Sequence, residues 1–196
     1  MSCLIGNGRL EACKDSISGI SNIFFINFGE IDTVTYSGTA PDLGDDIQGI
    51  TGVTKLYKYE LKGANGFDQN ILSSRANGTT VFEQMLTVQF KRQDIKTHKN
   101  IKFIAYGRPY VVVQSRTNEF FLMGLNEGAD VESGSVNSGV EYTDYNGYNL
   151  VLKSTEQRPA NYLSVTDATT GEDRPIKDET ELVDIFGLTI SDIVTT

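Results

Sequence analysis

Several residue types that carry chemistry are scarce in this 196-residue sequence, which has one histidine, two cysteines and no tryptophan. The lone His98 lies between Lys96 and Lys99, whose charges oppose its protonation, so we expect a solvated surface side chain. Catalysis by a nucleophile, a histidine and a carboxylate then lacks its base. No tryptophan is available to stack on a carbohydrate. We therefore predict a protein that is not an enzyme and has no cofactor or metal.

Long apolar runs are also missing. The longest, residues 23–26 and 110–113, fall far short of the roughly 20 residues that a membrane-spanning helix needs. The first residues show no basic segment followed by an apolar one, so no secretory signal is visible. Cys3 and Cys13 are too far apart for a C-x-x-C pair. We expect reduced thiols in a protein made in a cytosol and without a membrane partner, a disulfide in an oxidising exterior being the alternative.

The charge balance is acidic. The chain has 26 Asp and Glu against 17 Lys and Arg, a net charge of −9. Residues 166–196 hold eight acids and two bases, and so supply −6 of that charge, while the rest of the chain is close to neutral. This balance disfavours a protein that grips nucleic-acid phosphates or docks on an anionic membrane, because both require basic surfaces.

Strand-like segments separated by glycine-rich turns predict a mainly β fold. Residues 22–28 are apolar enough for a buried strand, and residues 27–30 predict a hairpin turn into a second strand at 31–36. Residues 55–62 and 80–92 alternate between polar and apolar side chains, as in antiparallel strands with one buried face. The pattern predicts an antiparallel β-sandwich or barrel of about seven strands.

Helix signals are few. Asp94 and Gly107 bracket one internal α-helix over residues 95–106, and a short helix over 178–186 is stopped by Gly187. The chain is accordingly divided into an N-terminal arm, a β domain with the internal helix, and an acidic, apolar C-terminal extension: residues 1–21, 22–165 and 166–196.

Two segments carry apolar residues among acids and are candidates for contacts between subunits. The first is the long loop over residues 37–53, for which a mobile surface loop is the alternative. The second is the C-terminal extension, whose apolar side chains must cover a surface of this subunit or of a neighbour. The loop candidates are Asp42, Leu43, Ile47, Ile50 and Val53, and the C-terminal contact candidates are Leu182, Ile185, Phe186 and Leu188.

The order of these segments resembles the tail tube proteins of long-tailed bacteriophages and their relatives in contractile injection systems. The resemblance rests on residues 9–28 (RLEACKDSISGISNIFFINF), 101–124 (IKFIAYGRPYVVVQSRTNEFFLMG) and 144–163 (DYNGYNLVLKSTEQRPANYL). In such proteins a helix packs on a sandwich, and a G-Y-x-L-x-L strand follows a glycine-rich loop. The resemblance covers residues 9–163 and offers no counterpart for residues 166–196.

The resemblance implies a virion structural protein, the major subunit of a tail tube that is assembled in the host cytoplasm. Copies of the chain would form hexameric rings that stack into a hollow conduit, through which double-stranded DNA passes without specific binding. Further partners would be the tail terminator, the baseplate or tip and the tape measure.

Strands of neighbouring subunits would join into the wall of the lumen, and residues 55–62 and 80–92 are the candidate strands for that wall. The lumen-facing candidates are Lys58, Glu60, Glu83 and Gln89. An ordinary solvent-exposed sheet face is the alternative interpretation of their alternation.

Two other classes of protein remain open. A head–tail connector, a tail terminator or a capsid decoration protein is also small, acidic and rich in β-structure. A non-viral ligand-binding β-sandwich would be a monomer with a defined pocket. Stoichiometry separates the first class, because a tube subunit is among the most abundant proteins of a virion, and the second class would bind its ligand without polymerising.

Overall fold

The computed structural model describes residues 8–11, 14, 16–38, 46–167 and 173–195. These residues contain fourteen strands and two α-helices, so the predicted mainly β fold is confirmed and the expected number of strands was too low. The helices are α1 (Ile95–Tyr106) and α2 (Glu179–Ile185). The strands are β1 (Ile20–Ile26), β2 (Thr33–Tyr36), β3 (Ile47–Thr51), β4 (Leu56–Glu60), β5 (Gly66–Ser74), β6 (Thr79–Lys91), β7 (Tyr110–Ser115), β8 (Phe120–Met123), β9 (Asp130–Asn137), β10 (Gly147–Glu156), β11 (Asn161–Tyr162), β12 (Ser164–Thr166), β13 (Asp173–Pro175) and β14 (Ile193–Val194).

Two main sheets face each other across the core. One has six strands in the order β11–β8–β7–β1–β4–β14, and the other has four in the order β5–β6–β10–β9. Neighbouring strands are antiparallel, apart from the parallel pair of β14 with β4. The strands β2 and β3 form one small sheet, and β12 and β13 form another. Within the described residues the sheets do not close on themselves, so the chain forms the sandwich and not the barrel.

A first core cluster lies between the two main sheets. It combines Ile23 and Phe25 of β1 with Leu86 of β6 and Leu152 of β10. The inward alternation predicted for residues 80–92 is confirmed, since Leu86, Val88 and Phe90 of β6 are all buried. Ile101 and Ile104 of α1 join the same cluster, so this helix packs against the sandwich core.

A second core cluster lies on the opposite face of the six-stranded sheet. It contains Phe24 of β1 and Val112 of β7, covered by Ile47 of β3 and by Leu182 and Phe186 of the C-terminal segment. The six-stranded sheet is therefore buried on both faces, which explains why its central strands read as continuous apolar runs. The C-terminal segment is a third layer of the same core, and residue 166 is not a boundary in packing.

The predicted hairpin between residues 22–28 and 31–36 is wrong. The turn itself forms, since the amide N–H of Glu30 donates to the carbonyl of Asn27 at 3.3 Å. However, β1 pairs with β4 and β7, whereas β2 pairs with β3. Because β1 is apolar on both faces, it takes a central position in the large sheet, and β2 is left to pair elsewhere.

Both helices begin and end where capping residues predict. The side chain of Asp94 accepts hydrogen bonds from the amides of Lys96 and Thr97 at 2.7 and 2.9 Å. Hydrogen bonds from Thr97 hold the pKa of the Asp94 carboxyl below its ordinary value. At the second helix, Asp178 accepts from the amide of Glu181, and Gly187 follows in the left-handed conformation with φ of 63°.

Candidate assembly surface

The outward face of the four-stranded sheet is mainly polar. Because Leu86 and Leu152 point into the core, the residues that alternate with them point outward, and cross-strand partners share a face. This surface is called the polar face below. Its members are Asp68, Asn70 and Leu72 of β5, Val81, Glu83, Met85, Thr87, Gln89 and Lys91 of β6, Asn149, Val151, Lys153 and Thr155 of β10, and Asp130, Glu132, Ser133, Ser135 and Asn137 of β9.

The charges of the polar face are mostly acidic. It carries four carboxylates and two lysines, one of which, Lys91, lies at the end of β6. The ammonium of Lys153 contacts the carboxylates of Glu83 at 2.5 Å and Glu132 at 3.7 Å. The hydrogen bond from Lys153 lowers the pKa of the Glu83 carboxyl, and the same contact raises the pKa of the lysine. The central cation is therefore neutralised by its neighbours.

The four lumen-facing candidates divide between two sheets. Glu83 and Gln89 lie on the polar face, but Lys58 and Glu60 belong to β4 in the six-stranded sheet. The prediction that residues 55–62 and 80–92 belong to one wall is therefore wrong. β4 lies in the other sheet, where Tyr57 and Tyr59 pack one side of it against the first core cluster. The Lys58 ammonium instead binds the carboxylate of Glu179 in α2. Glu60 is exposed and pairs with Lys62 at 3.2 Å.

Three of the five assembly candidates in the loop over residues 37–53 are buried in the core of their own subunit. Asp42 and Leu43, like Cys3 and Cys13, lie outside the described residues. Ile47 and Ile50 are 0% and 1% exposed, and Val53 is also buried, so these side chains cannot reach a neighbouring subunit. The second half of the predicted loop is a strand, β3, because its apolar residues cover the six-stranded sheet.

The C-terminal candidates likewise cover this subunit and not a neighbour. Leu182, Ile185 and Phe186 are buried in the second core cluster, and the half-buried Leu188 packs against it. Of the two surfaces considered for these residues, the structure therefore selects the chain's own sheet.

Among the described residues no further strand pairs with β5 at one edge of the four-stranded sheet or with β9 at the other, and α1 runs beside β9, where the Gln93 side chain donates to the Asn137 carbonyl at 2.8 Å. Since four antiparallel strands alternate in direction, β5 and β9 run oppositely. The β9 edge of one copy can thus pair antiparallel with the β5 edge of another and keep both polar faces on the same side. The acids of each edge lie near its first residues (Asp68 in β5, Asp130 and Glu132 in β9), so antiparallel pairing holds them apart.

The sequence interpretation missed β5 and β9, the two strands that form these edges. For β5 a signal existed, because the turn dipeptide Asn77–Gly78 lies between the apolar pair Ile71–Leu72 and the strand that follows. For β9 (DVESGSVN) no such signal is present. Its Gly134 lies so close to β10 that an added Cβ would meet Leu150 Cδ2 at 2.8 Å. Only pairing with β10 makes this polar segment a strand.

A buried carboxylate fixes the connection from β8 into β9. Glu156, at the end of β10, is 4% exposed and accepts hydrogen bonds from the amides of Asn126 and Glu127, both at 3.0 Å. The side-chain amide of Asn126 also donates to it at 2.8 Å. The buried carboxylate thereby ties the exposed residues 126 and 127 to the end of β10.

We expect Glu156→Ala to lower the free energy of unfolding by about 1–3 kcal/mol, because the three hydrogen bonds that tie residues 126 and 127 to the buried end of β10 are lost. Chemical denaturation followed by far-ultraviolet circular dichroism measures this change. Thr155→Ala is the matched control, since the neighbouring Thr155 is exposed, and it should change stability by less than about 0.5 kcal/mol. Equal effects of the two substitutions would contradict the role of Glu156.

Neither a metal-binding cluster nor a membrane-spanning helix is found in the part of the chain that the structure describes. No group of three or more histidine, cysteine, aspartate or glutamate side chains there is placed to hold a metal ion. Neither helix is long and apolar enough to span a bilayer. Comparison of the chain with protein-family models, with curated proteins and with solved structures returns no match.

Proposed function

We propose that this protein is the major subunit of a tail tube, in which rings of the chain stack into a hollow conduit for DNA. The observation that carries the proposal is the four-stranded sheet: the centre of one face packs on the core, the other face is the polar face, and no further described strand pairs with either edge strand. A sheet of this kind is one segment of a larger circular wall. Six copies per ring follow from the resemblance to tail tube proteins.

Ring closure follows from pairing of β9 in one copy with β5 in the next. The contact is heterologous, because two different edges meet, and heterologous contacts close into rings when the rotation between copies allows it. Pairing satisfies the backbone groups of both edges and removes the aggregation hazard of open strands. Every subunit then contributes four strands to one continuous sheet, with the polar faces lining the lumen.

The polar face suits DNA that must slide. Binding to DNA depends on cations that neutralise phosphates, and the central cation of this face, Lys153, is already paired with Glu83 and Glu132. The remaining carboxylates repel the phosphate backbone. The wall would enclose DNA without holding it.

The direct experiment is electron microscopy of the purified protein together with sedimentation velocity over a range of concentrations. We expect rings and stacked tubes with an open lumen. Compact monomers at every concentration would overturn the proposal and favour a ligand-binding sandwich. Single rings that never stack would favour a connector or terminator.

Charge reversal tests which face lines the lumen. We expect tubes of the double variant Asp68→Lys/Glu132→Lys to retain double-stranded DNA, with a retention that falls steeply as salt rises, because each new phosphate contact adds roughly 0.9 to the logarithmic salt slope. Wild-type tubes should retain none. The control Glu60→Lys/Asp184→Lys makes the same change of charge at exposed positions off the polar face. DNA retention by this control alone would show that another face lines the lumen.

A further inference from the structure

The connection between β9 and β10 exposes two large apolar side chains to solvent. In residues 138–146, called the tip loop below, Val140 and Tyr142 are 98% and 110% exposed. Glu141 stands between them and is also exposed. The backbone beneath is held in place, since the Asp144 carboxylate accepts hydrogen bonds from the amides of Val140 and Glu141, both at 2.9 Å. The loop thus offers a fixed apolar and acidic projection.

A groove of complementary character lies beside α1. Its volume is about 620 Å³, within the range of roughly 300–1,000 Å³ typical of binding pockets. The groove, called the α1 groove below, is lined by eleven residues of β1, β4, α1 and the segments that follow β1 and α1, and five of these residues are aromatic. The aromatic residues are Phe25, Phe28, Tyr57, Tyr59 and Phe103. Phe103 is 58% exposed, which leaves an apolar surface without a partner in its own subunit.

The helix that borders the groove is basic, in contrast with the acidic chain. Residues 91–108 contain six of the 17 lysines and arginines and a single acid, Asp94, which is engaged in capping α1. Lys99 precedes Phe103 by four residues, so the two side chains lie on the same side of α1. A cation therefore borders the aromatic surface, and its charge is opposite to that of Glu141.

The tip loop lies near the start of α1, and the groove extends to the end of the same helix. The loop follows Asn137, the last residue of β9, and the Gln93 side chain that precedes α1 donates to the carbonyl of Asn137 at 2.8 Å. The groove extends to Gly107 and Arg108 at the far end of α1, where Arg108 contacts Asp130, the first residue of β9. The twelve residues of α1 span about 18 Å between these ends. Tyr142 is fully exposed and does not line the groove of its own subunit, so the groove that receives it belongs to a second copy.

We propose that the tip loop of one copy docks in the α1 groove of the next copy along the tube, with Tyr142 entering the groove and Glu141 facing Lys99. The inference rests on the proposed tube function, because this head-to-tail contact is what joins successive rings. It is separate from the lateral contact of β9 with β5, which joins copies within a ring. Each copy offers one loop and one groove, so the contact repeats without limit along an axis.

The test measures tube assembly by sedimentation velocity and counts rings per particle by electron microscopy. We expect Tyr142→Ser and Glu141→Lys each to raise the critical concentration for stacking about tenfold or more, as for a central anchor of an interface, while single rings persist. Lys99→Glu should act like Glu141→Lys, and the double variant Glu141→Lys/Lys99→Glu should restore stacking. Asp184→Lys, with the same change of charge at an exposed position elsewhere, should assemble like the wild type.

The outcomes separate the two proposals. If the wild type forms tubes and the tip-loop variants form them at the same concentration, the docking contact is overturned and the tube function stands. If the wild type forms no rings or tubes, the tube function fails together with the contact that depends on it. Circular dichroism of each variant shows that the subunit is folded.

Discussion

Phe186→Ala is expected to lower the free energy of unfolding by about 3–5 kcal/mol, a large part of the roughly 5–15 kcal/mol that stabilises a typical domain. Phe186 is 3% exposed and belongs to the second core cluster with Ile47 and Leu182. Removing its ring leaves a cavity between the C-terminal segment and the six-stranded sheet. Denaturant unfolding followed by circular dichroism or tyrosine fluorescence measures the loss.

The matched control lies four residues further along the same segment. Ile190 is 53% exposed, so Ile190→Ala removes little buried surface and should change stability by less than about 0.5 kcal/mol. Comparable effects at the two positions would contradict the third layer of the core. If the C-terminal segment served only contacts between subunits, Phe186→Ala would abolish assembly and leave the stability of the monomer unchanged.

Proline in the β9 edge is expected to abolish ring formation. Successive amide groups of a strand point to opposite sides. One of the two variants Ser135→Pro and Val136→Pro therefore removes an N–H from the ladder with β10, and the other, called the edge variant, removes an N–H from the unpaired edge of β9. Thermal unfolding of the monomer identifies the edge variant, because only that variant keeps a stability close to that of the wild type. That variant should stay folded and sediment as a monomer.

Two results would contradict lateral pairing through β9. The first is normal rings from the proline variant that keeps its stability. The second is loss of rings in the control Ser135→Ala, which retains the backbone N–H and changes only the side chain. Loss of rings in the proline variant alone assigns the contact to the backbone of this edge.

Local signals account for the parts of the fold that were predicted well. The bounds of α1 follow from Asp94, whose carboxylate accepts from the first amides of the helix, and from Gly107 at its end. The inward and outward sides of β6 follow from its alternation, which needs no knowledge of the partner strand. The alternation alone therefore predicts that Glu83 and Gln89 lie on an outward face.

Partner strands decide what local signals leave open. The sequence of β4 alternates like that of β6, yet the two belong to different sheets because β4 pairs with β1, so Lys58 and Glu60 are absent from the polar face. The polar segment β9 becomes a strand only beside β10. Ile47 and Ile50 lie in a glycine-rich segment, and their burial depends on a sheet formed by residues far away in the chain.

The strand periodicity and the capping and turn residues of the sequence by themselves predicted the fold class: a mainly β chain with one internal helix and a short helix before Gly187. These properties depend on residues close together in the sequence, where capping, alternation and turn preferences act. Only the tertiary structure decided which strands share a sheet, which edges stay open, and that the C-terminal segment belongs to the core. Those properties depend on hydrogen bonds and apolar contacts between distant residues, and no short stretch of sequence specifies them.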